Sequence, residues 1–235
     1  MARTHVLTGA GSGIGAVVAR RLAGRGDRLI LVARNDERAA DLVAEYPGSA
    51  AIVADLAEPS VIEAAIEADV AAGALPEAVD SVIHAAGIVE LGPVSELPVS
   101  AWMRQLTVNL ASAAELTRIL LPRLRAARGQ VIFVNSGAGL TAHPQWGAYA
   151  ASKHGLKALA DALRGEEAAH GVRVTSVYPG RTATAMQEEV HRQEGAEYDP
   201  TRFIDAESVA TALLAALDAT PDATLTDITV RPGPR

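Results

Sequence analysis

Short apolar runs rich in branched residues alternate along the chain with longer, Ala-rich amphipathic stretches. The runs at 5–8, 28–33, 50–54, 81–84, 131–135, 173–177 and 226–230 read as strands. Helices are predicted to begin near Gly13, Asp36, Pro59, Pro98, Gly147 and Ala206. Continuous apolar strands separated by helices imply an α/β chain with a parallel sheet of about seven strands, covered by helices on both faces. With no repeat, linker or low-complexity tract, residues 1–235 are expected to form a single domain.

One interval breaks the rhythm. From 180 to 205 the chain is polar, with Gln187-Glu188-Glu189 and Gly195-Ala196-Glu197-Tyr198-Asp199-Pro200. An ordinary loop between helix and strand takes about 2–6 residues. The excess length, following the carboxyl end of a strand where open α/β sheets bind ligands, predicts a substrate lid.

Composition narrows the partners. Hydrophobic residues make up 49% of the 235 residues and charged ones 21%, an ordinary globular balance. The formal charge of -7 argues against nucleic acid or an anionic membrane surface as partner. The absence of cysteine removes disulfides, thiolate metal sites and cysteine nucleophiles, and no metal site is expected. Met1-Ala2-Arg3-Thr4-His5-Val6-Leu7 runs almost directly into an apolar strand, and no segment approaches the roughly 20 apolar residues of a membrane span. A cytoplasmic protein is the expectation.

The first strand leads into Thr8-Gly9-Ala10-Gly11-Ser12-Gly13-Ile14-Gly15, and a helix follows at once. Glycines there let the backbone turn sharply and approach a pyrophosphate, with free N–H groups at the helix start facing the anion. Gly9, Gly13 and Gly15 fit Thr-Gly-x-x-x-Gly-x-Gly, and with this spacing the chain resembles the short-chain dehydrogenase/reductase family. The resemblance implies a Rossmann-type, doubly wound sheet, a nicotinamide cofactor, and binding contacts from Gly9, Ser12, Gly13, Ile14 and Gly15.

The second strand ends in Ala33-Arg34, where a dinucleotide fold meets the adenosine ribose. A cation able to pair with a 2′-phosphate stands where an acidic residue would reject one, so NADP(H) is expected over NAD(H). Asp55, after the third strand, is implied by the resemblance to accept from the adenine amino group, flanked by Leu56; taken alone it could equally be a helix cap before Pro59. The fourth strand closes with His84-Ala85-Ala86-Gly87, where the family usually has Asn at the first position. Ala85, Ala86 and Gly87 still permit close approach to the cofactor, and His84 reads as a structural hydrogen-bonding residue.

The strand 131–135 ends in Ser136, and thirteen residues later comes Tyr149-Ala150-Ala151-Ser152-Lys153 in a predicted helix. A spacing of four puts Tyr149 and Lys153 on one helical face, where an ammonium would lower the phenol's pKa. The implied chemistry is hydride transfer between nicotinamide and a small, largely apolar carbonyl or secondary alcohol, with Tyr149 as general acid/base. Ser136 would hydrogen-bond the reacting oxygen, Lys153 would hold the ribose hydroxyls and tune Tyr149, and Asn109 would hold a water linking Lys153 to solvent. Tyr178-Pro179-Gly180-Arg181-Thr182-Ala183-Thr184 follows the sixth strand; the resemblance sets Pro179, Gly180, Thr182 and Thr184 against the nicotinamide carboxamide or the phosphates.

Ala138, Leu140, His143, Trp146, Met186 and Val190 are candidate substrate contacts. The resemblance implies a homodimer or homotetramer, with the helices around 102–124 and 149–170 packed between subunits. Two other readings exist: a noncatalytic NADP(H)-binding regulatory module, and a lyase or epimerase using its cofactor transiently. The full tyrosine–lysine constellation disfavours the first, and the absence of a larger carboxyl-terminal substrate domain disfavours the second.

Overall fold

A computed structural model describes residues 2–233; Met1, Pro234 and Arg235 lie outside the described residues. Seven parallel strands form one sheet: β1 (Thr4–Thr8), β2 (Arg28–Ala33), β3 (Ala50–Val53), β4 (Ser81–His84), β5 (Gln130–Val134), β6 (Arg173–Pro179) and β7 (Asp227–Val230). Their order is β3-β2-β1-β4-β5-β6-β7, so the chain steps outward from β1 to one edge, then returns past β1 and builds the other half. The winding direction changes between β1 and β4, and a crevice opens there at the strands' carboxyl ends.

Successive strand residues face opposite layers, and both faces are apolar. Val6, Ile30, Val82 and Val131 point to one core, with Leu116, Leu120, Leu156 and Leu163 of the covering helices. Leu7, Leu31, Ile83 and Ile132 point to the other, with Val18, Leu22, Leu213 and Leu217. The near-continuous apolar strands of the sequence are thus the signature of a sheet covered twice.

The first layer consists of α3 (Ile62–Ala71), α4 (Val99–Leu106), α5 (Ser112–Ala127) and α6 (Gly147–Glu167); the second includes α1 (Gly13–Gly24), α2 (Asp36–Glu45) and α8 (Ala206–Leu217). Where one long helix was expected from 102 to 124, a wide π turn at Thr107–Ala111 separates α4 from α5. Near Pro59 the helix begins with a 3₁₀ turn, Pro59–Val61, before α3. Within 180–205 the structure has a helix that the polar pattern hid, α7 (Ala185–Glu194). Its local signals are a capping Thr184, whose Oγ1 accepts from Gln187 N at 3.3 Å, and Gly195, left-handed at φ 66°. No helix among the described residues is long and apolar enough to cross a membrane.

Candidate active site

The glycine turn after β1 is shaped by what surrounds it. Gly9 has φ 74°, and a Cβ there would lie 2.7 Å from the backbone of Ala85 and Ala86. That backbone is held in place by Thr8, whose Oγ1 accepts from Ala85 N and from Ala86 N, both at 3.1 Å. Gly13 has φ 53°, and a Cβ there would come within 3.1 Å of the Thr184 methyl. Ser12, extended at the start of α1, makes no side-chain bond to the first turn of that helix. Gly15 differs from the expectation: a Cβ there would stand 2.1 Å from Gly9 O, so this glycine serves helix-to-turn packing and does not line the crevice.

The crevice is a cleft of about 930 Å³. Gly9, Ser12, Gly13, Ile14, Ala85, Ala86 and Gly87 form one wall; Ser136, Tyr149, Lys153, Pro179, Gly180, Thr182 and Thr184 form the other. Ala138, His143, Trp146, Met186 and Val190 line it too, but Leu140 does not: it points outward, 41% exposed. Arg34 is exposed at the end of β2, beyond the cleft lining. Asp55 is exposed as well, and its Oδ1 accepts from Ala57 N at 2.9 Å, a local turn that stops short of capping a helix. Leu56 and Asn109 line a separate small void together with His84.

Tyr149 and Lys153 are both buried on α6. Tyr149 lies edge-on to Trp146, with ring centroids 5.8 Å apart. Lys153 Nζ stands 5.9 Å from the Tyr149 ring centroid and donates to Val134 O at 3.1 Å. Burial pulls the ammonium down to about 8. The phenol departs from expectation: burial raises its pKa above the ordinary value, a hydrogen bond with Ser136 opposes this, and the ammonium is too far off to reverse it. Tyr149 is therefore protonated at neutral pH.

Asn135 fixes the geometry, and sequence reasoning passed over it as a strand terminus. Its backbone N donates to Val177 O at 2.8 Å, its Oδ1 accepts from Ser136 N at 2.8 Å, and its Nδ2 donates to Lys153 O at 3.1 Å. One amide thus joins the end of β5 to the helix carrying the tyrosine–lysine pair. Ser136 Oγ accepts from Ala138 N at 3.1 Å, orienting the hydroxyl oxygen.

Asn109 sits in the π turn and is buried. Its Oδ1 accepts from Ile88 N at 2.8 Å, and its Nδ2 donates to Ile88 O at 2.9 Å and Ser152 Oγ at 3.0 Å. Ser152 Oγ in turn donates to Tyr149 O at 2.7 Å, so the chain after β4 is tied to α6. His84 is structural: it stacks on Phe133 at 5.0 Å, and Thr117 Oγ1, which donates to Ala113 O, accepts from its Nε2 at 2.9 Å. Burial, with help from the Lys153 charge, lowers its pKa to about 3, so it stays neutral.

The model of the short chain dehydrogenase family matches residues 3–195. The chain belongs to the short-chain dehydrogenase family. A protein of Streptomyces violaceoruber named as a candidate ketoacyl reductase 1 of the granaticin polyketide synthase is 36% identical over 194 residues, covering 79% of this chain and 70% of the relative. The NADPH-dependent 3-dehydrocapnine reductase of Ornithobacterium rhinotracheale is 30% identical over 191 residues, covering 78% and 67%. Among solved structures, a candidate NAD(P)-dependent gluconate 5-dehydrogenase of Beutenbergia cavernae, holding NADP at low occupancy, superposes with TM-score 0.82 at 30% identity, covering 97% of this chain and 94% of that one. As a member of this family the chain is a short-chain oxidoreductase acting on small molecules with a nicotinamide cofactor.

Proposed function

We propose that this oxidoreductase uses NADP(H) to interconvert a small carbonyl compound and its secondary alcohol, with Tyr149 as the proton donor and acceptor. The observation that carries the reading is Tyr149, Ser136 and Lys153 facing one cleft that is also lined by a glycine turn with few side chains. That turn fits a dinucleotide: the uncapped first turn of α1 offers N–H groups to a pyrophosphate, and the missing Cβ at Gly13 keeps the gap to Thr184 open. Ile14, Ala85, Ala86 and Gly87 would flank the adenosine side, with Asp55 and Leu56 at the adenine. Pro179, Gly180, Thr182 and Thr184 would hold the carboxamide end. When bound, nicotinamide supplies or accepts the hydride.

The residues of the chain do the rest. Tyr149, kept protonated by burial, gives its proton to the carbonyl oxygen as negative charge develops there. The Ser136 hydroxyl, its oxygen fixed by Ala138 N, donates to that same oxygen. Lys153 offers its remaining N–H groups to the ribose hydroxyls, and its charge favours a phenolate once the proton has left. Asn109 braces Ile88 and Ser152 behind the pair and would orient a relay water from the adjoining void. The segment 180–205, with α7 over the cleft, acts as the lid.

For the cofactor, Arg34 supports NADP(H) over NAD(H), because an exposed guanidinium at the end of β2 suits a 2′-phosphate. Following NADPH and NADH absorbance against ketones, aldehydes and diketones tests the activity: carbonyl-dependent NADPH loss is expected, and tight NADPH binding without turnover across the panel would contradict it. Arg34→Asp should move the preference toward NADH; unchanged selectivity would remove the assignment. The same proposal has α5 and α6 pairing between copies in a homodimer or homotetramer, which a monomer by light scattering would refute.

A further inference from the structure

The cleft lining includes Arg231, an exposed side chain on the first residue after β7. Its Nη1 donates to Tyr178 O at 3.0 Å and to Val230 O at 3.3 Å. Those two bonds engage one nitrogen and hold the fork in place. A Cβ added to Gly137 would lie 3.6 Å from both Nη1 and Nη2, so the guanidinium stands beside the residue that follows Ser136, with no side chain between. No acceptor for Nη2 and no carboxylate within ion-pair distance of Arg231 exists among the described residues.

The other charges in the cleft are already engaged. Arg181 lies over Trp146 at 5.7 Å and pairs with Glu194 through two bonds, at 2.8 and 2.6 Å. Glu194 is the one carboxylate lining the cleft among the described residues, and that pair neutralises it. Lys153 is turned inward on Val134 O. Arg231 therefore leaves an unneutralised positive charge on the cleft lining beside Gly137, on a chain whose formal charge is -7.

We infer that Arg231 binds an anionic group of the substrate, so that the carbonyl compound taken is an oxo acid and the alcohol a hydroxy acid. This rests on the reductase reading and narrows its substrate class. The carboxylate would bond Nη2 and its neighbouring N–H in the planar fork geometry guanidinium favours. The apolar body of the substrate would lie along Trp146, Met186 and Val190, and the carbonyl would reach Ser136 and Tyr149. Capping of the β6 and β7 carbonyls alone would need only one nitrogen of the five-donor fork.

The test compares 3-, 4- and 5-oxo acids with their methyl esters, using NADPH and the whole chain. The wild-type protein should prefer at least one acid over its ester by roughly tenfold to a hundredfold in kcat/KM, the range of a hydrogen-bonded charge pair. In Arg231→Leu that ratio should fall toward one, and in Arg231→Glu it should invert. Equal rates on acid and ester in the wild type, or an unchanged ratio in Arg231→Leu, would overturn the inference while leaving the reductase reading standing. Turnover of neither acid nor ester, with an uncharged ketone or aldehyde still reduced, would likewise overturn the inference; no turnover of any carbonyl compound would sink the reductase reading instead. Trp146 fluorescence, read in a Trp102→Phe background because the chain has a second tryptophan there, then decides the role of Arg231: saturable quenching by the acid alone, lost in Arg231→Leu, upholds it, and equal quenching by acid and ester ends it. Should the leucine variant fail to fold, salt serves instead, since added salt should raise the KM of the acid and leave that of the ester unchanged; parallel responses would refute the charge pairing.

Discussion

The two walls of the cleft are built from opposite materials. The wall at the ends of β1 and β4 is mostly backbone and small groups: Gly9, Ser12, Gly13, Ala85, Ala86 and Gly87, with Ile14 the one larger side chain, and the Thr8 hydroxyl fastens Ala85 and Ala86. The wall beyond β5 is side chains: Ser136, Tyr149, Trp146, Lys153, Arg181 and Arg231. Backbone N–H groups recognise a pyrophosphate by approach distance, so the first wall fails when anything is added. Side chains supply protons, charge and shape, so the second fails when something is taken away.

The contrast can be broken from either side. The largest effect is expected from Lys153→Met, which should cut kcat/KM by about two to four orders of magnitude, the usual weight of acid–base machinery. The same change should raise Tm. The folded-state pKa of Lys153 is depressed from 10.5 to about 8, so burying the charge opposes folding at every pH below about 8, and that penalty fades between about 8 and 10.5. Removing it is worth at most about 3 kcal/mol at neutral pH, offset by the lost bond to Val134 O. A thermal melt at pH 7 checks the sign, and a fall in Tm would show that the lysine stabilises the fold.

On the other wall, Gly9→Ala should lower stability by about 1–3 kcal/mol and abolish cofactor binding, because φ 74° and a contact at 2.7 Å both exclude a Cβ. Tight NADPH binding by a folded Gly9→Ala protein would show that this wall tolerates side chains after all. A smaller effect is expected from Asn135→Ala, which loses the two side-chain bonds at the junction of β5 and α6 and leaves Lys153 O without its partner. Its kcat should fall roughly tenfold with KM for NADPH little changed, about the weight of one buried hydrogen bond. The smallest is a pH effect. With Lys153 losing its charge near pH 8, kcat/KM for reduction should decline above that pH and hold steady between 6 and 7.5.

The same difference in material explains what could be read from the sequence. The strands and the order of motifs were legible because the parallel sheet demands continuous apolar runs, and the glycine turn because no other residue can occupy φ 74° beneath Ala85. Helix α7 was missed because its face toward the protein is short, with Val190 among polar neighbours, and its evidence lies in two end caps. The π turn at Thr107–Ala111 leaves no mark in hydrophobic spacing. Gly15 and Leu140 were drawn into the site by proximity in sequence, yet a neighbouring carbonyl occupies the space beside one and solvent faces the other. The sign of the Tyr149 shift was missed because helical spacing brings two side chains to one face without fixing the distance between them. Arg231 was invisible in sequence, since only the sheet order β5-β6-β7 brings the end of the chain next to Gly137.

The central claim is that Tyr149 moves the proton and does little to hold the cofactor. Its most direct test is Tyr149→Phe, read by steady-state NADPH oxidation with an active carbonyl compound and by the Kd for NADPH in the same preparation. Turnover should fall at least a hundredfold while Kd stays within about threefold of the wild type. Retained turnover in a folded Tyr149→Phe protein would contradict the account.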